Sequence, residues 1–365
     1  MNLKFTNIAS QQKEVPQLIE TENKKGYVDY GLDNKYPYYL YTLLNNSPLF
    51  SSIITTMVDY VMGDGIEINN LPKYINKKQE TVIELIKKLV FDFCTYGGFS
   101  FQIIRNKFNE IASLSYVDFR HVRISPEGDE VYYSNFEKYR NGKNIIKYPR
   151  YIYGAKQQNC IYYYKGISKG HYPLPSYIGA VKSIEITTQI TDFHLNQILN
   201  CFNPAVVINM NNGNVDEDSA NEIRERFEEH YMGVNGSKIL LCFNDSQEHA
   251  TTIERLTDDN FDQKYQTLTT QVQTDIYTAF RFNPILSGTN TTTGFNKQEF
   301  SEAFTLYNKT VIKPIQNIFE DIFNNIYGEN TIKFIPFQID WGDIKENGNI
   351  PVQEEEENNN YINTK

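Results

Sequence analysis

The chain has 365 residues, a formal net charge of −10 and a pI of about 5.2. Aromatic residues make up 14% of it, and such side chains are normally buried, so the composition excludes a disordered chain. No apolar run reaches the ~18 residues that a membrane-spanning helix needs. The acidic balance, without clusters of Lys or Arg, disfavours a protein that holds nucleic acid tightly.

The cysteine pattern indicates a reducing compartment. The chain has four cysteines, which lie far apart and form no CxxC pair: Cys94, Cys160, Cys201 and Cys242. This spacing favours reduced, buried thiols in a cytoplasmic setting over a disulfide framework. The N-terminal residues MNLKFTNIASQQKEVPQL have no continuous apolar core and do not predict a secretory signal.

Two helices are predicted in the first hundred residues, after an irregular region with aromatic anchors over 1–46. The pair Ser47–Pro48 is typical of an N-cap and a first helical position, and Gly63 ends the helix that it begins. A second helix, over 78–96, has apolar residues at helical spacing and ends at a pair of glycines.

From residue 99 to about 165 the apolar period changes to two. Short runs rich in Tyr, Ile and Val alternate with turns such as PEGD and RNGK. This pattern predicts an antiparallel sheet packed against the first two helices. Residues 1–172 are therefore predicted to form one α+β domain.

A long helix and a small insert follow. Residues 173–201 begin after prolines and are predicted to form a helix of about 20 residues. Residues 202–256 predict a strand, AVVINM, then a charged helix, then a strand, KILLCF. The charged helix is a candidate for ion pairs with a second subunit or a partner, because it carries Glu222, Arg224, Glu225, Arg226, Glu228 and Glu229.

The clearest helical pattern covers residues 257–283. Its apolar stripe, at steps of three and four, is Phe261, Tyr265, Leu268, Val272, Ile276 and Phe280. The other face is polar and nearly uncharged, with Gln263, Thr267, Thr270, Gln271 and Thr274. Most surface helices carry charge there, so this face is a candidate functional surface, although an ordinary solvent-exposed face explains it equally well.

A loop over 284–295 joins this helix to the next. Its small residues offer no acid, base, metal ligand or phosphate-binding cation: Ser287, Gly288, Thr289, Asn290, Thr291, Thr292, Thr293 and Gly294. Residues 296–345 predict a helix capped by Asn296 and kinked at Pro314, followed by a strand. The acidic tail over 346–365 is predicted to be disordered.

Catalytic signatures are absent from the sequence. It contains no P-loop, HExxH or GxSxG pattern, and in GVNGSK the lysine lies on the wrong side of the hydroxyl for a phosphate cradle. Asp216, Glu217 and Asp218 adjoin the start of the charged helix, where helix capping explains them better than a metal site. No cofactor is predicted.

Several segments are similar to those of one family. They follow each other in the chain in this order: YGLDNKYPYYLYTLLNNSPLFSSIITTMVDYVMGDGIEI, FCTYGGFSFQIIRN with SYVDFRHVRI, LPSYIGAVKSIEITTQI, DNFDQKYQTLTTQVQTDIYTAFRFNPILSG and FNKQEFSEAFTLYNKTVIKPIQNIFEDIFN. In this order they resemble the portal proteins of tailed double-stranded DNA bacteriophages. One departure is the exit Phe-Asn-Pro-Ile-Leu, where the family more often has Val-Pro.

The resemblance implies a domain organisation. It assigns 1–172 to the wing, 173–201 and 257–283 to two stem helices, and 202–256 to the clip. The loop over 284–295 becomes the tunnel loop that faces DNA, and 296–345 forms the C-terminal wing helix and strand with a small crown.

The resemblance also implies a function without catalysis. The implied assembly is a homo-oligomeric ring, dodecameric in the family, which would lie at the portal vertex of the virion and assemble in the host cytoplasm. Double-stranded DNA is packaged and ejected through it without sequence specificity. The implied partners are the terminase large subunit, a neck adaptor and the major capsid or scaffolding protein, with no membrane.

Two other functions remain open from the sequence. A phage nucleic-acid enzyme such as a nuclease would show cleavage of DNA that depends on a divalent metal and is abolished by changing Asp216 and Asp218, and no such cleavage is expected. Another head-to-tail connector or minor capsid protein would share the logic of assembly but differ in symmetry and in its place in the virion.

Overall fold

The computed structural model describes residues 16–155, 157–199, 206–210, 222, 239–243, 261–288 and 297–338. Its helices are α1 (Tyr36–Asn46), α2 (Pro48–Met62), α3 (Val82–Tyr96), α4 (Val181–Leu199), α5 (Phe261–Phe280), α6 (Lys297–Tyr307) and α7 (Lys313–Tyr327). Its strands are β1 (Glu20–Glu22), β2 (Val28–Tyr30), β3 (Gly65–Ile68), β4 (Gly98–Arg105), β5 (Ile111–Val117), β6 (Val122–Ile124), β7 (Glu130–Tyr133), β8 (Ile146–Pro149), β9 (Asn159–Lys165), β10 (Val206–Met210), β11 (Ile239–Phe243) and β12 (Ile332–Ile335).

Helix α2 lies at the centre of the core, and both of its predicted ends are confirmed. The Ser47 hydroxyl accepts a hydrogen bond from the Phe50 amide at 3.4 Å, and Pro48 occupies the first turn. Gly63 ends the helix at a φ of 58°, where a Cβ would clash with the Ile335 carbonyl oxygen. The apolar side chains of α2 point in several directions, so the helix can pack against α1, α3 and α7 at once.

The prediction of an irregular region over 1–46 is wrong for residues 16–46. They form the β1–β2 hairpin and helix α1, while 1–15 lie outside the described residues. The guanidinium of the fully buried Arg123 holds this segment by donating to the Asn34 side chain and, at 2.7 Å, to the Asn34 carbonyl oxygen. The many tyrosines in α1 hid its helical period, because a tyrosine can bury its ring while its hydroxyl stays near water.

The predicted second helix is confirmed as α3 but begins later than residue 78. Thr81 and Glu84 form a capping box: the Glu84 amide donates to the Thr81 hydroxyl at 3.2 Å, and the Thr81 amide donates to the Glu84 carboxylate at 2.7 Å. The reciprocal bonds satisfy two amides that the helix itself leaves unpaired, which fixes the start of α3 at Val82.

The antiparallel strands form two three-stranded sheets, with the orders β5-β4-β9 and β6-β7-β8, and not the single sheet that was predicted. The 3-10 turn Phe119–His121 separates β5 from β6 and redirects the chain. In the first sheet, Phe99 and Phe101 stack on Phe319 and Phe323 of α7, with ring centroids 4.8 and 5.8 Å apart. These stacked rings join the sheet to the C-terminal helix.

Three glycines bring α3, β4 and the segment after β9 into close contact. Gly97 ends α3 with a φ of 79°, and a Cβ there would lie 2.7 Å from the Leu174 carbonyl oxygen. A Cβ on Gly98 would lie 2.6 Å from the Tyr164 carbonyl oxygen, and the Gly166 amide donates to the Gly97 carbonyl oxygen at 2.9 Å. No larger residue fits at Gly97 or Gly98 without moving the backbone.

Helices α4 and α5 pack side by side and extend from this core. Helix α4 begins at Val181 after the 3-10 turn Ile178–Ala180, which is later than the predicted 173. The Tyr265 hydroxyl of α5 lies 2.8 Å from His194 Nε2 of α4. None of the described helices is long and apolar enough to cross a membrane.

The insert contains the two predicted strands. Strands β10 and β11 pair in parallel, with Val206 opposite Ile239 and Met210 opposite Phe243. A parallel pair requires a crossover connection, as the predicted strand–helix–strand order has. Between these two strands the structure describes only residue 222, which is helical.

The predicted kink at Pro314 takes the form of a π-helical turn, Asn308–Ile312, between α6 and α7. Pro314 cannot donate to the Thr310 carbonyl oxygen, and its ring would crowd that oxygen in a regular helix, so a wider turn fits here. Gln316 of α7 donates to the Val61 carbonyl oxygen of α2 at 2.9 Å. The predicted last strand is confirmed as β12, which pairs antiparallel with β3.

The glycine contacts predict a difference between two left-handed positions. Gly97→Ala should lower the free energy of unfolding by roughly 3 to 4 kcal/mol, because backbone strain adds to overpacking against Leu174. Gly154 has a φ of 77° and no atom within 4 Å of a built Cβ, so Gly154→Ala should cost only about 1–2 kcal/mol. Urea denaturation measures both values, and equal losses would contradict the close approach at Gly97.

Candidate functional site

The exposed face of α5 carries the predicted polar side chains. Thr267, Thr270, Gln271 and Thr274 are exposed, and together with Gln266 they line a shallow groove of about 540 Å³. Gln263 lies in the same helix, but its side chain is outside the described part of the chain. The structure therefore places four of the five predicted residues on one continuous surface.

The hydroxyl groups of this face are bonded to their own helix. Thr270 donates to the Gln266 carbonyl oxygen at 3.0 Å, and Thr274 donates to the Thr270 carbonyl oxygen at 2.9 Å. In α4, Thr191 donates to the Thr187 carbonyl oxygen at 3.0 Å in the same way. Because a hydroxyl has a single proton to donate, these threonines present mainly methyl groups and lone pairs to the outside.

The face is more acidic than predicted. Asp275 is exposed, and its carboxylate accepts from the Gln271 amide at 2.9 Å, so a negative charge lies beside the groove. The only Lys or Arg in α5 is Lys264 in its first turn, and none follows from Tyr265 to Phe280. Beyond that turn, a polyanion meets neither a lysine or arginine of α5 nor a free hydroxyl proton from the threonines bonded in this way.

The inner stripe of α5 is confirmed at its C-terminal half only. Val272, Ile276 and Phe280 are buried, whereas Leu268 is 47% exposed. Tyr265 is half-buried against α4, and the side chain of Phe261 lies outside the described residues. Periodicity identified the stripe correctly but could not locate where α5 leaves the core, since that depends on the neighbouring elements.

The segment before the loop is an anchor. Phe282, Ile285 and Leu286 are buried, and Pro284–Ser287 forms a 3-10 turn. The Asn283 side chain accepts from the Ile285 amide at 3.0 Å, which closes the turn around the proline. The expectation that the loop starts at residue 284 is therefore wrong.

Helix α2 holds this anchor through one buried hydrogen bond. The Tyr60 hydroxyl donates to the Leu286 carbonyl oxygen at 2.7 Å. Burial raises the pKa of Tyr60 to about 12, so the hydroxyl keeps its proton at neutral pH. The helix at the centre of the core thus fixes the position of the loop's first residues.

Only two of the predicted loop residues lie in the described part of the chain. Ser287 is half-buried and donates to the Pro284 carbonyl oxygen at 2.8 Å, and Gly288 has a left-handed φ of 72°. The other loop residues are outside the described residues: Thr289, Asn290, Thr291, Thr292, Thr293 and Gly294.

The predicted ion-pair surface of the insert is described at one position. Glu222 is exposed and helical, while Arg224, Glu225, Arg226, Glu228 and Glu229 lie outside the described residues. Asp216, Glu217 and Asp218 lie outside them as well. Over the ranges that the structure describes, no group of three or more His, Cys, Asp or Glu side chains is arranged to hold a metal ion.

The sequence matches a family described as phage portal protein over residues 67–350. This match spans well over half of the chain. The chain belongs to the phage portal protein family. This match confirms the resemblance noted from the sequence. A portal protein is a structural component of the virion and acts at the capsid vertex. No curated protein matches the chain.

Solved structures share the portal fold. A protein in the virion of a native gene transfer agent is 12% identical, with a TM-score of 0.54 over 83% of this chain and 84% of that one. A protein in the neck of a native gene transfer agent particle, computed with C12 symmetry, is 12% identical, with a TM-score of 0.52 over 82% and 84%. An HK97-family phage portal protein from Corynebacterium diphtheriae is 13% identical, with a TM-score of 0.50 over 80% and 94%. At this identity the likeness concerns the α+β portal fold alone.

The loop anchor predicts opposite outcomes for two tyrosines. Tyr60→Phe should lower the free energy of unfolding by about 1–2 kcal/mol, because it leaves the buried Leu286 carbonyl oxygen without its donor. The buried Tyr307 hydroxyl has no hydrogen-bond partner in the described structure, so Tyr307→Phe should be neutral or stabilising. Urea denaturation gives the free energies, and hydrogen exchange at residues 285–288 should rise in the first variant only. Equal behaviour of the two variants would contradict this role of Tyr60.

Proposed function

We propose that copies of this portal protein form a closed ring, a dodecamer, whose central channel passes double-stranded DNA during packaging and ejection. A chain of this size cannot encircle a duplex alone, but a ring of copies related by cyclic symmetry can. The neck of a native gene transfer agent particle was computed with C12 symmetry and that of an empty particle with C6 symmetry, and a ring of twelve copies is compatible with both. In this proposal α4 and α5 are the stem helices that line the channel.

The exposed face of α5 carries the proposal. A protein that grips duplex DNA places Lys and Arg against phosphates, and every such contact adds to affinity and to salt dependence. Moving kilobases of duplex through a ring requires the reverse, because strong contacts in each subunit would stall the DNA. Thr270 and Thr274 already donate to their own helix, and Asp275 adds repulsion, so the face suits a conduit better than a clamp.

The loop after Gly288 is the proposed point of contact with DNA in the channel. Its root is held by the buried Phe282 and Leu286 and by Tyr60, whereas the sequence from 289 to 294 consists of small uncharged residues. A fixed root with a neutral tip allows the loop to touch the duplex through weak, interchangeable contacts. We assign residues 289–294 to this tunnel loop.

The insert between β10 and β11 is proposed as the clip, which lies outside the capsid. The charged residues from Glu222 to Glu229 would set the register between subunits or dock a partner, since exposed ion pairs are worth only ~0–1 kcal/mol each. The proposed partners are the terminase large subunit, a neck adaptor and the major capsid or scaffolding protein. The ring itself would be non-enzymatic and would assemble in the host cytoplasm.

Two lysines on the stem face should convert the conduit into a clamp. We expect Thr270→Lys/Thr274→Lys to form rings of normal size, because both positions are exposed and Lys is a good helix former. The rings should bind linear duplex DNA measurably more tightly at low salt, with a steeper loss of affinity as salt rises, by about 0.9 in the log–log slope per phosphate contacted.

The control for this experiment is Thr55→Lys on α2, which is exposed and donates to the Ser51 carbonyl oxygen at 2.9 Å in the same way. It should leave DNA affinity unchanged. Negative-stain images establish whether rings with a central hole are present. If both sets of rings bind DNA equally, the α5 face does not line the channel, and an absence of rings at any salt concentration argues against the portal ring itself.

Shortening the loop should separate assembly from transport. Deletion of residues 289–293 should leave ring formation intact, because the buried anchor ends at Leu286 and Gly288 closes the turn. Packaging of DNA into capsids should fall in the deletion variant, measured as DNA protected from added nuclease. A deletion variant that no longer forms rings would place the loop in the structural framework and refute its assignment to the channel.

A further inference from the structure

An apolar groove of about 440 Å³ lies beside the glycine junction of α3, β4 and the segment after β9. Its walls come from α2, α3, that segment, the π turn and α7, and include Met57, Phe93, Val311, Ile315 and Ile318. Gly97 and Gly166 form part of the lining. No residue of the α5 polar face or of the loop anchor lines this groove, although Arg281, which joins the two, does.

The rim of the groove exposes apolar side chains to solvent. Ile167 is 95% exposed and Leu174 is 39% exposed, and both line the groove. An exposed apolar patch joined to an apolar concavity is characteristic of a binding surface.

The surroundings of the groove are basic in an otherwise acidic chain. Lys165 and Arg281 line it. Lys169 and Lys309 are exposed and lie within two residues, along the chain, of the lining residues Ile167 and Thr310. Within the described residues, none of these four cations forms a salt bridge with a carboxylate, although the whole chain has a net charge of −10. The occupant should therefore carry both acidic and apolar side chains.

The described chain ends against α2, the helix that also supplies Met57 to the groove. The Gln338 amide donates to the Asp64 carboxylate at 3.1 Å, and Phe337 packs on Tyr60 with ring centroids 5.1 Å apart. Tyr60 lies three residues from Met57 on the same helix, which is about 4.5 Å along the axis. Residues 339–353 can span up to about 50 Å, so the residues that follow them reach the groove easily.

The sequence beyond that span has the required order of chemistry. It reads EEEENNNYI, with four carboxylates at 354–357 followed by Tyr361 and Ile362. We propose that this acidic segment, residues 354–362, docks into the groove of its own chain. The carboxylates pair with the cations of the rim, and Tyr361 and Ile362 cover Ile167 and the apolar floor.

Docking within one chain needs little intrinsic affinity. A tether of this length holds the segment at an effective concentration of about a millimolar, so a contact with a dissociation constant in that range is occupied about half of the time. Docking removes the Ile167 patch from solvent while each subunit is still separate. The groove is therefore covered by a segment of the same chain, and this role is additional to the proposed function of the ring as a DNA channel.

A photo-cross-linker tests the placement in the full-length chain. With benzoylphenylalanine in place of Tyr361, irradiation should produce cross-links, located by mass spectrometry, to residues 165–176 and 310–318. These should be intramolecular, so the chain should keep a monomer mass on a denaturing gel. Neutralising Arg281→Gln together with Lys309→Gln should lower the yield about fivefold, as should replacing the four glutamates at 354–357 by glutamine.

The matched control neutralises Lys77→Gln and Lys107→Gln, two exposed cations outside the groove lining, and should leave the yield unchanged. Cross-links to other regions, or a yield insensitive to the groove cations, would overturn the proposal. Cross-linked dimers would assign the groove to a neighbouring subunit and overturn docking within one chain. Ring formation is scored separately by negative stain, so a failure of the portal proposal remains distinguishable.

Discussion

The close packing of backbone at Gly97, Gly98 and Gly166 is the constraint on which the rest of the fold depends. Here only Gly97 separates α3 from β4. The segment leading to α4 crosses so close that its Leu174 carbonyl oxygen would lie 2.7 Å from a Cβ on Gly97. The direction of α4 is set immediately after this contact. Since α5 packs along α4, the surface that carries Thr270 and Thr274 is oriented by three positions that have no side chain.

The sequence predicted those elements whose ends are determined by local chemistry. Ser47 with Pro48 and the turn glycine Gly63 defined α2 because an N-cap, a first-turn proline and a left-handed glycine act within a few residues. The polar face of α5 was predicted for the same reason, since it follows from a regular period. Contacts between distant segments were not accessible in this way.

The errors share a physical cause. Arg123 holds Asn34 although the two residues are 89 positions apart, and no local pattern in residues 16–46 predicts that contact. Leu268 belongs to an apolar period but lies where α5 has left the core. The anchoring role of Phe282 to Leu286 was missed because a segment with asparagine and proline resembles an exposed turn. A signal was present in Ile285 and Leu286, two consecutive large apolar residues that an exposed loop would not favour.

The threonines of α4 and α5 have a mechanical consequence beyond their surface chemistry. A hydroxyl bonded to the carbonyl oxygen four residues earlier competes with the amide that donates to the same oxygen in the helix, and such back-bonding slightly destabilises a helix and often bends it. Thr191 of α4 and Thr269, Thr270 and Thr274 of α5 all bond in this manner. In the proposed ring, a channel wall built from these two helices would therefore bend more readily than one built from helices without such threonines.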